Sequence, residues 1–267
     1  MTPILTADDL LARLLYRDSL MLIVDKPSGL PVHAGPGRGP NLEQYLDALR
    51  FGLPRNPGLA HRLDRETSGC LLLGRHRKAL AKLGKLFSQG LVEKIYWAVV
   101  EGAPPADEGR IDAPLAKRST QARGWWMKVD PVEGQSAITD YRVLGRGDGL
   151  AWLEFRPRTG RTHQIRVHAA ELGCPLLNDT VYGRNPGPPP DNAPRLHLHA
   201  RAIVVPLYAN RDPIRAQAPV PAHMVAAFAA CGFDPAGEMT PDKICSPAVA
   251  QPRQGDYPLG KEIGGGG

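Results

Sequence analysis

Short apolar runs alternate along the chain with turn-rich stretches. Leu20 to Asp25 (LMLIVD) predicts a buried strand, and Lys26-Pro27-Ser28-Gly29 ends it in a turn. A Gly/Pro-rich loop follows from Pro31 to Pro40. Asn41 then caps a short helix in which Leu42, Tyr45, Leu46 and Leu49 repeat at helical spacing, with Gly52 as its stop. The run Cys70, Leu71, Leu72, Leu73 comes straight after a polar turn, which predicts a buried strand leaving a loop. A second helix is predicted from about Lys78 to Gln89, burying Leu80, Leu83, Leu86 and Phe87, and Ile95 to Val100 returns to strand chemistry. Ala137 to Leu144 and Leu150 to Phe155 predict a hairpin, joined by Gly145-Arg146-Gly147-Asp148-Gly149 in a loop longer than two residues.

Thr162 is placed to cap a helix reaching Leu172, with Ile165, Ala169 and Leu172 on one face, Arg166 on another and Gly173-Cys174-Pro175 as the stop. Pro186 to Pro194 is a Pro/Gly loop, Ala202 to Val205 a strand and Pro221 to Cys231 an amphipathic helix. From about Asp234 the chain is Pro/Gly-rich, ends in four glycines and shows no apolar periodicity. This predicts a folded domain over residues 1–235 and an irregular or disordered tail over 236–267. Strands and helices mix without regular βαβ alternation, which gives the fold class α+β.

With 267 residues, 42% hydrophobic and 22% charged, the chain has the composition of a soluble globular protein with a sizeable core. No apolar stretch approaches the ~20 residues of a membrane helix. The start MTPILTADDLLARLL lacks the basic region of a signal peptide, so the expected location is cytoplasmic and no membrane partner is expected. Cys70, Cys174, Cys231 and Cys245 are far apart with no C-x-x-C pair, which argues against a zinc knuckle, redox motif or disulfide framework.

The net charge of +6 becomes informative through its distribution. Arg75, Arg77, Lys78, Lys82, Lys85 and Lys94 form one basic stretch; Lys117, Arg118, Arg123 and Lys128 surround Trp125 and Trp126; Arg156, Arg158, Arg161 and Arg166 form a third. Such stretches suit phosphate-backbone contacts, and a solvated helix face of mixed charge is the alternative after Arg75.

The segment His61 to Gly69 (HRLDRETSG) places one short carboxylate, Asp64, between Arg62 and Arg65 at the mouth of a predicted strand. A carboxylate among arginines stays ionised, as a nucleophile or general base requires. The same residues also make good turn chemistry, with Asp64 bonded to backbone or a neighbouring Arg.

Further segments join it: VDKPSGLPVHAG at 24–35, HRLDRETSGCLLLGR at 61–75, EKIYWAVVEG at 93–102 and RTGRTHQIRVHAAELGCPLLNDTVYG at 158–183. SAITDYRVL at 136–144, LHLHA at 196–200 and AQAPVPAHM at 216–224 match less closely. The whole set, in this order, resembles the RluA-type pseudouridine synthases, which isomerise uridine to pseudouridine in ribosomal and transfer RNA. The resemblance implies a pseudouridine synthase fold, a mixed and mostly antiparallel sheet with flanking helices and a central cleft. It implies Asp64 as the essential carboxylate, Tyr96 as the tyrosine beside the flipped base and Arg166 as the arginine paired with Asp64. Arg62 matches the arginine that fills the gap left by the uridine, a plain phosphate contact being the alternative, and Ile165 and Leu72 fit apolar walls of the uracil site or, equally, the core. His61 and Arg161 complete the expected substrate-binding set, although the spacing of His61, His163 and His168 fits no zinc pattern and on that ground the three are read as structural.

The chemistry breaks the N1–C1′ bond, rotates the uracil and bonds C5 to C1′. Asp64 could add to C1′, attack C6 or remove the 2′ proton. No metal or organic cofactor is implied, and the expected partner is a structured tRNA or rRNA stem-loop bound by a monomer. Asn178 stands where the family usually has Gly, and Gln135 where Lys is common. Only about twenty residues precede the first strand, too few for the S4-type RNA-binding domain of many members. The alternative is a non-catalytic RNA-binding or chaperone protein on the same fold, which has no need of the Asp64, Tyr96 and Arg166 set. A metal-dependent nuclease or deaminase needs ligand clusters that are not found in the sequence.

Overall fold

The structure, a computed structural model, describes residues 5–35, 39–121, 124–187 and 194–234. These belong to the compact unit Met1–Gly237. The predicted tail and residues 188–193 of the Pro/Gly loop lie outside the described residues.

The elements follow in order: α1 (Ala7–Ala12), β1 (Leu14–Arg17), β2 (Met21–Lys26), a 3-10 helix (Leu42–Leu49), β3 (Gly58–Leu59), β4 (Ser68–Gly74), α2 (Arg77–Ser88) and β5 (Glu93–Glu101). After them come β6 (Glu108–Asp112), β7 (Leu115–Thr120), β8 (Gly124–Val129), β9 (Ile138–Gly147), β10 (Leu150–Pro157), α3 (Gln164–Glu171), β11 (Leu198–Val205), β12 (Ile214–Gln217) and α4 (Ala222–Ala230). A large sheet runs in the order β1-β2-β4-β11-β5-β10-β9-β6, with β12 beside β11 and β3 beside β4, while β7 and β8 form a separate ribbon. Within the sheet β4 and β11 pair parallel and the other pairings are antiparallel. The architecture is α+β, as the mixed element pattern predicts.

Every residue of β2 and β4 is buried, which explains why both read as unbroken apolar runs. Alternate side chains serve opposite faces. Leu71 and Leu73 join Leu22 and Val24 against Leu42, Leu46 and Leu49 of the 3-10 helix, whereas Cys70 and Leu72 join Met21 and Ile23 against Leu83 of α2. Each such leucine stabilises the fold by about 1.5–3 kcal/mol. Gly69 opens β4 at φ +106°, and a Cβ there would lie 2.3 Å from the Ala200 carbonyl oxygen, so only glycine lets β4 approach β11 this closely. A second cluster gathers Ala98, Val100, Leu153 and Phe155 of the sheet under Ile165 and Ala169 of α3.

Three expectations change. The hairpin strands run through Gly147 and Leu150, so the turn is the two-residue Asp148-Gly149 with both φ positive. Helix α3 begins at Gln164, with His163 rather than Thr162 as its N-cap, because the Gln164 Oε1 itself accepts from the Arg161 N–H (2.9 Å) and Thr159 hydroxyl (2.7 Å). Nor is α3 one-sided: Gln164 through Ala169 are all buried, because Val167 packs on Leu115 and Met127 of the ribbon while Ile165 packs on the sheet. Among the described residues no helix is long and apolar enough to cross a membrane.

Candidate active site

The chain folds a cleft of about 470 Å³ between the loop before β4, the end of α2, the start of β5 and the loop from β10 into α3. Asp64 and Arg62 come from the first loop, Lys94 and Tyr96 from β5, Arg161 and His163 from the last loop, and Ile165 and Arg166 from α3.

The loop carrying Asp64 is anchored by the turn after β2. Fully buried Lys26 donates from Nζ to the carbonyls of Pro27 (2.8 Å), Leu30 (2.8 Å) and Arg65 (3.1 Å), and burial pulls its pKa down to about 7 against the neighbouring carboxylates. The Ser28 hydroxyl donates to the Glu66 carbonyl (2.8 Å) and the Gly29 N–H to the Arg65 carbonyl (2.9 Å). The sequence segments at 24–35 and 61–75 are therefore one structural unit. His61 lines the cleft, but its Nε2 accepts the Leu72 N–H (3.0 Å), and burial, helped by the Lys94 charge, lowers its pKa to about 3. The imidazole is thus a neutral backbone acceptor that fixes the loop.

Asp64 keeps 20% of its side chain exposed to the cleft. Tyr96 is held between two core clusters, and burial, with Asp64 adding, pushes its phenol far above its usual range, so it is a neutral hydroxyl. Arg166 does not ion-pair with Asp64 as expected. Its Nε and one terminal nitrogen donate to the two carboxylate oxygens of Asp179 (2.8 and 2.7 Å), a buried bidentate pair. Burial opposes the charge on both groups. The Asp179 hydrogen bonds nonetheless raise Arg166, with Asp64 a further contributor, and Arg166 with the N–H groups of Tyr182 and Val181 holds Asp179 below the usual carboxylate range. Arg166 reaches Asp64 through its field while Asp179 fixes its direction.

Leu72 does not line the cleft. It is fully buried in the core with Met21, Ile23 and Leu83, behind the cleft-lining Val92 and Phe87. Ile165 does line the cleft, beside Leu198 and Val92. Arg62 is exposed at the cleft, and Arg161 donates from Nε to the Ser136 carbonyl (3.0 Å). Several basic residues turn out to be structural: Arg75 donates to the carbonyls of Asp18, Arg50 and Phe51, and Arg156 pairs with Glu93 and Glu154.

Sequence reasoning missed three participants. Asp179 follows Asn178, whose φ of +62° explains why this position takes Gly or Asn. Tyr182 packs its ring 5.1 Å from the Arg166 guanidinium. His163, expected to be structural, has its Nε2 4.0 Å from the Asp64 Oδ2. Asp179 and Tyr182 lie inside the segment at 158–183, where only the exchange at Asn178 draws notice. His168 is structural: Nδ1 meets the Thr139 hydroxyl (2.9 Å) and Nε2 the Ala113 carbonyl (3.0 Å).

Residues 20–171 match the family model described as RNA pseudouridylate synthase. The chain is 44% identical over 222 residues to an uncharacterized RNA pseudouridine synthase of Zymomonas mobilis, covering 83% of this chain and 97% of that one. It is 37% identical over 183 residues to ribosomal large subunit pseudouridine synthase C of Buchnera aphidicola, covering 68% of this chain and 58% of that one. The solved structure of Human RNA Pseudouridylate Synthase Domain Containing 4 superposes with a TM-score of 0.69 at 27% identity, over 84% of this chain and 94% of that one.

Proposed function

Since this chain belongs to the RNA pseudouridine synthase family, we propose that it isomerises specific uridines of transfer RNA or large-subunit ribosomal RNA in the cleft, with Asp64 as the essential carboxylate. The chain is an isomerase acting on RNA. The observation that carries the assignment is the presentation of Asp64: a loop tied to buried Lys26 holds it at the cleft, beside neutral Tyr96 and the charged Arg166–Asp179 pair.

The uridine leaves its stack and enters the cleft, and Arg62, exposed at its edge, fills the gap in the RNA. Asp64 then acts at C1′, at C6 or on the 2′ proton. In each route the N1–C1′ bond breaks, uracil turns, C5 bonds to C1′ and the C5 proton departs. Tyr96 offers an aromatic face for stacking, and Arg166 supplies fixed positive charge toward the detached uracil. Residues 1–235 act as the catalytic domain, as a cytoplasmic monomer on a structured stem-loop, without metal or cofactor.

Site-by-site pseudouridine mapping of total RNA from cells with and without the gene tests this. The expected result is loss of pseudouridine at one or a few positions, regained on complementation. Identical maps would contradict the proposal.

A further inference from the structure

We propose that His163 is a positioning residue for Asp64, presenting its Nε2–H to the carboxylate. The inference rests on the reading of Asp64 as the catalytic group. It starts from backbone geometry: His163 sits at φ +54°, a left-handed conformation that costs a non-glycine residue about 1 kcal/mol or more, held at the N-terminus of α3 without any side-chain cap.

What that conformation achieves is placement of the ring. Its Nδ1 lies 2.8 Å from the Tyr182 hydroxyl, its face stacks on Trp125 (centroids 5.1 Å apart, planes at 28°), and its Nε2 faces Asp64 at 4.0 Å. The Tyr182 oxygen already accepts the Met127 N–H (2.9 Å), so its own proton is free to go to Nδ1. Burial lowers the histidine pKa, with Asp64 opposing and Arg166 reinforcing, which favours the neutral ring with one donor and one acceptor. With Nδ1 accepting, the single ring proton sits on Nε2 and points to Asp64. The 4.0 Å gap is longer than a hydrogen bond, as catalytic contacts often are before substrate binds. Small rotations of the two side chains on RNA binding close it. Arg166 is committed to Asp179, and among the described residues His163 is the basic side chain that comes within 4.0 Å of the Asp64 carboxylate. Trp125, 47% exposed on the ribbon, links ribbon position to this contact.

The test uses the full chain in excess over total RNA labelled with 5-tritiated uridine in cells lacking the gene. His163→Asn accepts the left-handed backbone but is too short to reach Asp64, whereas His163→Gln restores an N–H near the Nε2 position. His163→Asn should lower the saturating rate of tritium release about 10- to 100-fold with the half-saturating protein concentration little changed, and His163→Gln should recover most of it. Nitrogen-15 NMR of the unsubstituted protein should show His163 protonated at Nε2 and bare at Nδ1. A wild-type rate in His163→Asn, no recovery in His163→Gln, or the Nδ1–H tautomer overturns the inference, and the tautomer decides even if both variants fail to fold. Asp64→Asn is run alongside: its retaining full rate refutes the proposed function, while full rate in the His163 variants alone refutes only this inference.

Discussion

Arg166 directs its Nε and one terminal nitrogen to Asp179, so the charge that serves Asp64 depends on a second carboxylate behind it. Removing one partner of a buried pair leaves the other uncompensated, at a cost of about 3–5 kcal/mol. Asp179→Asn should therefore lower the urea unfolding midpoint clearly and slow tritium release, although Asp179 is not expected to touch substrate. Arg166→Lys should be severe but partial, because charge stays while the planar fork is lost. Wild-type stability and rate in Asp179→Asn would show that the pair supports neither fold nor chemistry. That Asp64, Tyr96 and Arg166 meet in one cleft was legible in the sequence, since each lies in its own family-like segment. Their partners were not, because pairing across the fold has no local signal: the Asp64 loop is held by Lys26, and His163 meets Tyr182.

Helix α4 is seated by glycines on the hairpin it covers. A Cβ at Gly145 would come within 1.9 Å of the Cys231 carbonyl oxygen, and one at Gly147 within 1.8 Å of that of Ala230. Beneath α4, Trp97 and Trp152 meet edge to face, with ring centroids 4.7 Å apart, and both contact Phe228. Gly145→Ala should lift the helix, cost about 1–3 kcal/mol and shift tryptophan emission to longer wavelength. Unchanged emission and stability would mean that α4 adapts without losing its seat. The strands β2, β4, β5 and β11 could be read from sequence because burial on both faces writes an apolar run. The ribbon β7–β8 could not: only one side packs on α3, so Lys117, Arg118 and Lys128 read as charge and not as strand. The glycines of the β9–β10 hairpin read as a long loop because the helix they accommodate lies far along the chain.

Across the described residues, six histidines whose charged form burial disfavours, His61, His163, His168, His197, His199 and His223, set the acid response. Burial holds His61 and His199 at about 3 and His197 at about 4, all below the ordinary histidine value of 6.5. Between those values and 6.5 the unfolded chain binds more protons, so stability rises with pH through the window and is lost as pH falls through it. Asp25, raised by burial to about 6, acts in the opposite sense but is one group against six histidines. The urea midpoint should fall between about pH 7 and about pH 5; a constant or higher midpoint would contradict this account. RNA affinity should fall steeply with salt, and Lys117→Glu should reduce the slope of log affinity against log salt by about one unit. Arg118→Glu should matter less, because Arg118 is tied to Asp130 and Glu133. Asp64 adds no positive charge, so binding and chemistry separate at this residue. Asp64→Asn keeps the side chain's size while removing the basic, nucleophilic carboxylate, and the decisive measurement is single-turnover tritium release from RNA carrying 5-tritiated uridine, beside binding of the same RNA. The account predicts no detectable release with affinity essentially unchanged; release at the wild-type rate would contradict it.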